Sequence, residues 1–192
     1  MRQILFTIFF ALFAVVGCYA QEGSDNKELR LTPRDCLISY KDWVKKDVGY
    51  IITAEEKKSF NNLKTNEERV NFIANFWRQR DPSPDTEENE FLEEHYERIK
   101  YANENFESVI PGWMTDRGKI YIIWGKPDKI ETGYGRFGEN LNVPYEKWNY
   151  KYISEYCGSV EIIFSDPTQS KEFRISESSE TKLVKALNKC SE

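Results

Sequence analysis

The chain has 192 residues, 40% hydrophobic and 15% aromatic, with a formal net charge of −5. That is the composition of a globular chain with a core and not of a disordered one, and without a basic stripe it excludes nucleic acid as a partner. With one histidine, His95, a multi-histidine metal centre is excluded, no CxxC or Cys/His spacing marks zinc, and no cofactor is expected.

The chain opens MRQILFTIFFALFAVVGCYAQEG. One positive charge at Arg2, an apolar run from Ile4 to Val16 and then small residues are the parts of a secretion signal, expected over residues 1–20. The run falls short of the roughly 20 apolar residues of a membrane span, so it implies export and not a spanning helix. Val15-Val16-Gly17-Cys18 resembles a bacterial lipobox, in which the cysteine is lipidated and becomes the new N-terminus; cleavage after Ala20 would release a soluble protein instead. Tyr19 in place of an aspartate points toward the outer membrane, with the periplasm as the alternative address. Residues 21–38 are polar and read as a tether, leaving 39–192 as a single domain. Of the four cysteines, lipidation of Cys18 leaves Cys36, Cys157 and Cys190 for one disulfide in an oxidising compartment, and the pairing stays open.

Two capping boxes, Thr53 with Glu56 and Thr65 with Glu68, mark helix starts. Along the second helix Val70, Ile73, Ala74 and Trp77 recur at helical spacing, widened by Phe72 and Phe76, until Asp81-Pro82-Ser83-Pro84 stops it. A third, longest helix is expected from near Thr86, with Leu92, Tyr96, Ile99, Asn103 and Phe106 on one stripe and Glu90, Glu94 and Arg98 on a neighbouring face. It ends before Pro111-Gly112.

Beyond that turn, Lys119 to Trp124 is a β-branched and aromatic run that reads as a strand covered on both faces. A second short strand is expected near Ile130. In the next, Trp148, Tyr150 and Tyr152 share the buried face; Ser159 to Asp166 and the Phe173–Ile175 region supply two more. A short helix carrying Leu183, Val184 and Leu187 closes the chain. Helices followed by hairpin-linked strands imply an α+β fold, with N-terminal helices packed on a C-terminal antiparallel meander.

Gly112-Trp113-Met114-Thr115-Asp116 resembles the signature of the bacterial GWxTD domain family. The similarity extends through Phe76-Trp77, Arg80-Asp81-Pro82, Thr86, Asn89-Glu90, Glu94, Arg98 and Ala102-Asn103, then Asp116-Arg117-Gly118, Tyr121-Ile122, Gly125, Pro127-Asp128 and Trp148, covering about Tyr40 to Asp166. The resemblance implies an exported or cell-envelope domain of unassigned activity and supplies no mechanism. A shorter likeness, Gly125-Lys-Pro-Asp128 followed by Trp148-Asn-Tyr150, resembles small lipoproteins that assist outer-membrane protein assembly.

The signature charges Arg80, Asp81, Glu90, Glu94, Arg98, Asp116 and Arg117, with Trp77, Trp113, Thr115 and Trp148, admit two readings. As an ionic network they would join the helices to the first strand, each charge tolerated for its partner. As a site, Glu90 with Asp116 or Glu94 would serve a hydrolase acting on an envelope glycan or peptide, with Trp113 or Trp148 as stacking platform. No activated nucleophile, metal set or oxyanion motif accompanies them. The network reading, and with it an envelope interaction domain meeting another protein or a glycan, is preferred. His95 is expected to be a partly exposed structural histidine. Gly133-Tyr-Gly-Arg-Phe-Gly138 spells GxGxxG but leads into a strand rather than a helix, so no nucleotide is expected; it reads as a mobile loop between strands.

Overall fold

The computed structural model describes residues 40–190, with side chains to residue 183; the signal, Cys18 and the tether lie outside the described residues. α1 (Tyr40–Asp42) runs into a π-helical turn, Trp43–Asp47. α2 (Ala54–Asn62) and α3 (Asn66–Arg78) both begin on the expected capping boxes: each threonine accepts from the amide three residues on while the glutamate returns to the cap amide. Trp43, Phe60, Ile73, Phe76 and Trp77 bury together as the core of this helical half.

α4 (Glu90–Phe106) starts later than Thr86 because Asn89 is the better cap, accepting from the Leu92 amide and donating to the Trp77 carbonyl. Thr86 instead bonds the Ser83 and Glu88 carbonyls inside the preceding loop. A 3₁₀ turn, Gly112–Met114, follows.

The expected first strand is a helix. α5 (Asp116–Trp124) begins at Thr115, whose Oγ1 accepts from the Gly118 amide, and ends at Gly125 with φ +76°. Buried against α4 on one side and the sheet on the other, with Ile120 and Ile122 in the core, it shows no polar stripe, so its residues carry no helical period to read.

The sheet is a four-stranded antiparallel meander in the order β1-β2-β3-β4: β1 (Lys129–Phe137), β2 (Asn140–Ile153), β3 (Gly158–Ser165) and β4 (Arg174–Ile175). α6 (Glu177–Cys190) completes the α+β fold. Trp148, Tyr150, Val160, Ile162 and Phe164 form the second core with Ala102 and Phe106 of α4. Tyr152 does not share that face, because the β2–β3 register shifts between Tyr150 and Ile153; Ile153 turns inward and Tyr152 is 67% exposed. The GxGxxG segment is strand, not loop: Gly133 and Gly135 lie in β1 under the Tyr145 ring, and Gly138, at φ +61°, makes the turn with Glu139. On that same face, opposite Trp148, Lys147 pairs with both Glu131 and Glu161, and Lys182 of α6 extends the row, cross-strand pairs of small individual worth.

The two edges of the sheet differ. On the β3 side, past the two residues of β4, Ser176 donates its amide to the Ile163 carbonyl and Ser179 Oγ accepts from the Ile163 amide. The β1 side carries no further strand among the described residues. Cys157 is disulfide-bonded, and the cysteine it joins lies outside the described side chains.

Candidate functional site

The residues Gly112 to Gly118 are read most directly as a joint. Gly112 sits so close to α4 that a Cβ there would lie 1.9 Å from the Ala102 carbonyl oxygen. The Trp113 amide donates to Asn103 Oδ1 at 3.0 Å, and the Tyr50 hydroxyl donates to the Trp113 carbonyl at 3.0 Å. Thr115, 3% exposed, donates its hydroxyl to the Gly112 carbonyl while capping α5. Gly118 repeats the close approach: a Cβ there would stand 1.8 Å from the Gly112 carbonyl oxygen. Asp116 Oδ2 accepts from the Ile175 amide at 2.9 Å, fixing β4 to the start of α5. Burial, with the Asp116 charge adding to it, pushes the Tyr50 hydroxyl up from its ordinary pKa, so it remains a donor.

The signature charges do not converge into one cluster; they form three separate arginine anchors. At the exit of α3, Arg80 reaches both carboxylate oxygens of Glu56 at 2.9 Å and the Phe76 carbonyl, its guanidinium 3.6 Å above the Phe76 ring. Burial opposes ionisation of Glu56, but the Thr53 amide and Arg80 outweigh it and hold the carboxyl below its usual range. Asp81 accepts from the Ser83 amide and shapes the following turn.

Arg98 is the second anchor. Its bond to Glu94 at 2.6 Å is an exposed i,i+4 pair, with Glu94 63% exposed, and such pairs contribute little. Its bonds to the Ile122 and Ile123 carbonyls matter more, placing a cation on the unsatisfied carbonyls at the end of α5.

Arg117 is the third. It is 8% exposed and donates to Glu146 Oε1 at 2.8 Å and to the Lys171 carbonyl, with its guanidinium stacked 4.3 Å from the Phe173 ring centre. Glu146 Oε2 accepts from the Trp148 indole at 3.1 Å. Both oxygens of Glu146 are thus engaged, so this pair ties α5, β2 and the segment before β4 together.

Glu90 takes no part; it is exposed in the first turn of α4. Trp77 lies in the helical core against Phe76, His95 and Tyr96. Asp116 begins α5 and Glu94 is held by Arg98 at its other end, a helix of nine residues and so roughly 13 Å long. Glu94 and Asp116 therefore stand at opposite ends of α5 and do not form a pair at the spacing that glycoside hydrolysis needs. Among the described residues no group of three or more His, Cys, Asp or Glu is placed to hold a metal ion.

Three residues that the pattern did not single out complete the anchors. Glu146 is the one acid on the Trp148 face of β2, and that parity was the signal. Glu56 was visible only as the third residue of its capping box. Asp166, 2% exposed, accepts from the Ser170 and Lys171 amides and from Thr168, shaping the loop that brings Lys171 to Arg117.

His95 is buried at 3% exposure, not partly exposed. Its Nε2 meets the Asp47 carbonyl at 2.6 Å, so the neutral ring donates there, linking α4 to the end of the first helical turn. Burial depresses its pKa below the ordinary 6.5, outweighing the Asp47 contact that favours the charged ring. The unfolded chain therefore takes up a proton that the folded one refuses. Stability attributable to this residue is complete above about pH 6.5 and is lost as pH falls below it, by up to about 1.4 kcal/mol per pH unit. Urea unfolding between pH 7 and 5 checks this, and a His95→Gln variant is expected to flatten the slope.

Among the described residues no helix is long and apolar enough to cross a membrane. The family model of the GWxTD domain matches residues 37–182. Neither a curated protein nor a solved structure matches the chain.

Proposed function

Because the chain belongs to the GWxTD domain family, we propose that it is an exported interaction domain of the cell envelope, carried on a lipid attached to Cys18 and making its contacts through the β1–β2 hairpin. The observation that carries this reading is the inward commitment of the signature: Gly112, Thr115, Asp116 and Arg117 are spent on holding α4, α5 and the sheet together. The hairpin is left facing outward, with Tyr134 71% and Leu141 63% exposed on the side of the sheet whose outer edge carries no further strand among the described residues. Exposed aromatic side chains beside an open edge suit strand addition by another envelope protein; the anchor and tether would hold that surface within reach of the membrane.

A photo-crosslinking residue at position 134 or 141, introduced into the full chain in cells, is expected to capture a discrete envelope partner, while the same residue at the exposed position 97 on α4 captures none. Equal capture from all three positions sinks the hairpin as contact surface. Labelling with a palmitate analogue separately tests the anchor: wild type is expected to be labelled and Cys18→Ala is not.

A further inference from the structure

A second feature stands apart from the signature. Between α1 with its π-helical turn and the pair α2 and α3 lies an open concavity of about 700 Å³. Tyr40 and Phe60 supply its aromatic wall, and Lys41, Lys45, Lys57 and Arg69 supply four cations. Among the described residues no carboxylate lines it, in a chain whose formal net charge is −5. Glu68 acts on Arg69 from outside the hollow, yet four positive charges around one concavity still produce a local field opposite in sign to that of the whole.

The cations are not consumed by ion pairs among the described residues: the neighbouring pair is Lys46 with Asp42, outside the hollow. Arg69 is held in place by bonds to Asn66 Oδ1 at 3.2 Å and the Leu63 carbonyl at 2.8 Å, with its guanidinium 5.3 Å from the Tyr40 ring centre. Neither bond uses its Nε. A fixed guanidinium flanked by exposed lysines is the donor set that recognises a phosphate group, the arginine by shape and the lysines by charge. The aromatic wall adds an apolar face for the organic part of the ligand.

We infer that this hollow is a binding site for a phosphate monoester or diester carrying a small organic group, whether a soluble ester or the headgroup of a lipid. It does not depend on lipidation of Cys18 or on the hairpin contact, and it survives the failure of either.

The test is calorimetric titration of the full chain, held in neutral detergent micelles, with glycerol 3-phosphate in solution and separately with phosphatidylglycerol added to the micelles; phosphatidylcholine micelles and chloride serve as controls. Saturable binding to glycerol 3-phosphate assigns a soluble ester, and binding to phosphatidylglycerol alone assigns a lipid headgroup. Either supports the site provided that Lys45→Glu with Lys57→Glu weakens it at least tenfold, and that raising salt from 50 to 300 mM weakens it further. Both lysines are exposed, so the double variant is expected to unfold at the wild-type temperature. Binding that the double variant retains in full, or no binding to either probe, overturns the inference. So does binding that appears only after the acids of the preceding segment, Glu22, Asp25, Glu28 and Asp35, are replaced by their amides, because the chain itself would then be the occupant.

Discussion

Gly112→Ala is expected to leave almost no folded protein. The added methyl would have to stand 1.9 Å from a backbone oxygen of α4, an atom that cannot turn aside as a side chain would. Overpacking a core commonly costs 1–3 kcal/mol; a clash with backbone at this distance exceeds that range, and we place the loss at about 4 kcal/mol or more, most of a small domain's stability. Gly138→Asn is the matched control. Unlike Gly112 it sits at positive φ, +61°, but nothing lies within 4 Å of its would-be Cβ, and asparagine tolerates the left-handed region, so it is expected to cost less than about 1 kcal/mol. Thermal unfolding followed by circular dichroism separates the two. A Gly112→Ala protein that melts like wild type would remove the physical meaning assigned here to the first letter of the signature.

The second large effect is expected at Arg117. Replacing it with methionine keeps much of the packing on Phe106 and Phe173 but strands Glu146, which at 19% side-chain exposure is then left with the Trp148 indole as its partner. Removing one member of a buried pair typically costs 3–5 kcal/mol, and a value near the lower end is expected because Glu146 is not fully buried. Adding Glu146→Gln should recover at least about 1 kcal/mol, since the neutral amide keeps an acceptor for the indole without a stranded charge; the non-additivity is the signature of direct coupling. If Arg117→Met costs less than about 0.5 kcal/mol in urea, the seam between α5 and the sheet is held by packing alone. A frame residue also predicts how function falls: crosslinking from position 134 should track the amount of folded protein in each variant. Loss of crosslinking from fully folded Arg117→Met would instead make Arg117 part of the contact.

Much of this was legible in residues and much was not, for reasons that differ by element. The starts of α2 and α3 could be placed to the residue because a capping box is local chemistry, written within four positions. The α+β order was legible because hydrophobic period changes along the chain. The Lys119–Trp124 run misled because a helix buried on two sides and a doubly covered strand both read as continuous apolar sequence. The correction was present in Thr115 and Gly125, a cap and a stop that enclose nine residues and outweigh β propensity. Tyr152 misled because strict alternation assumes an unbroken register, and a one-residue slip at the end of β2 leaves no mark in composition. Among the signature charges, the partners were the hidden half. Arg80, Arg98 and Arg117 stood out, whereas Glu56 and Glu146 are ordinary glutamates until the chain folds, and the carbonyls that Arg98 holds have no side chain to read at all.

Ser176 and Ser179 close the β3 margin with a helix end where another strand would otherwise fit. Among the described residues, the flank from which such a sheet could grow is that of β1. Two molecules meeting along β1 would use up each other's free amides and carbonyls, and the ribbon would have no place left to lengthen, so assembly by this route halts at a pair instead of running on into a fibre. A terminating geometry of that kind is protection against crowding.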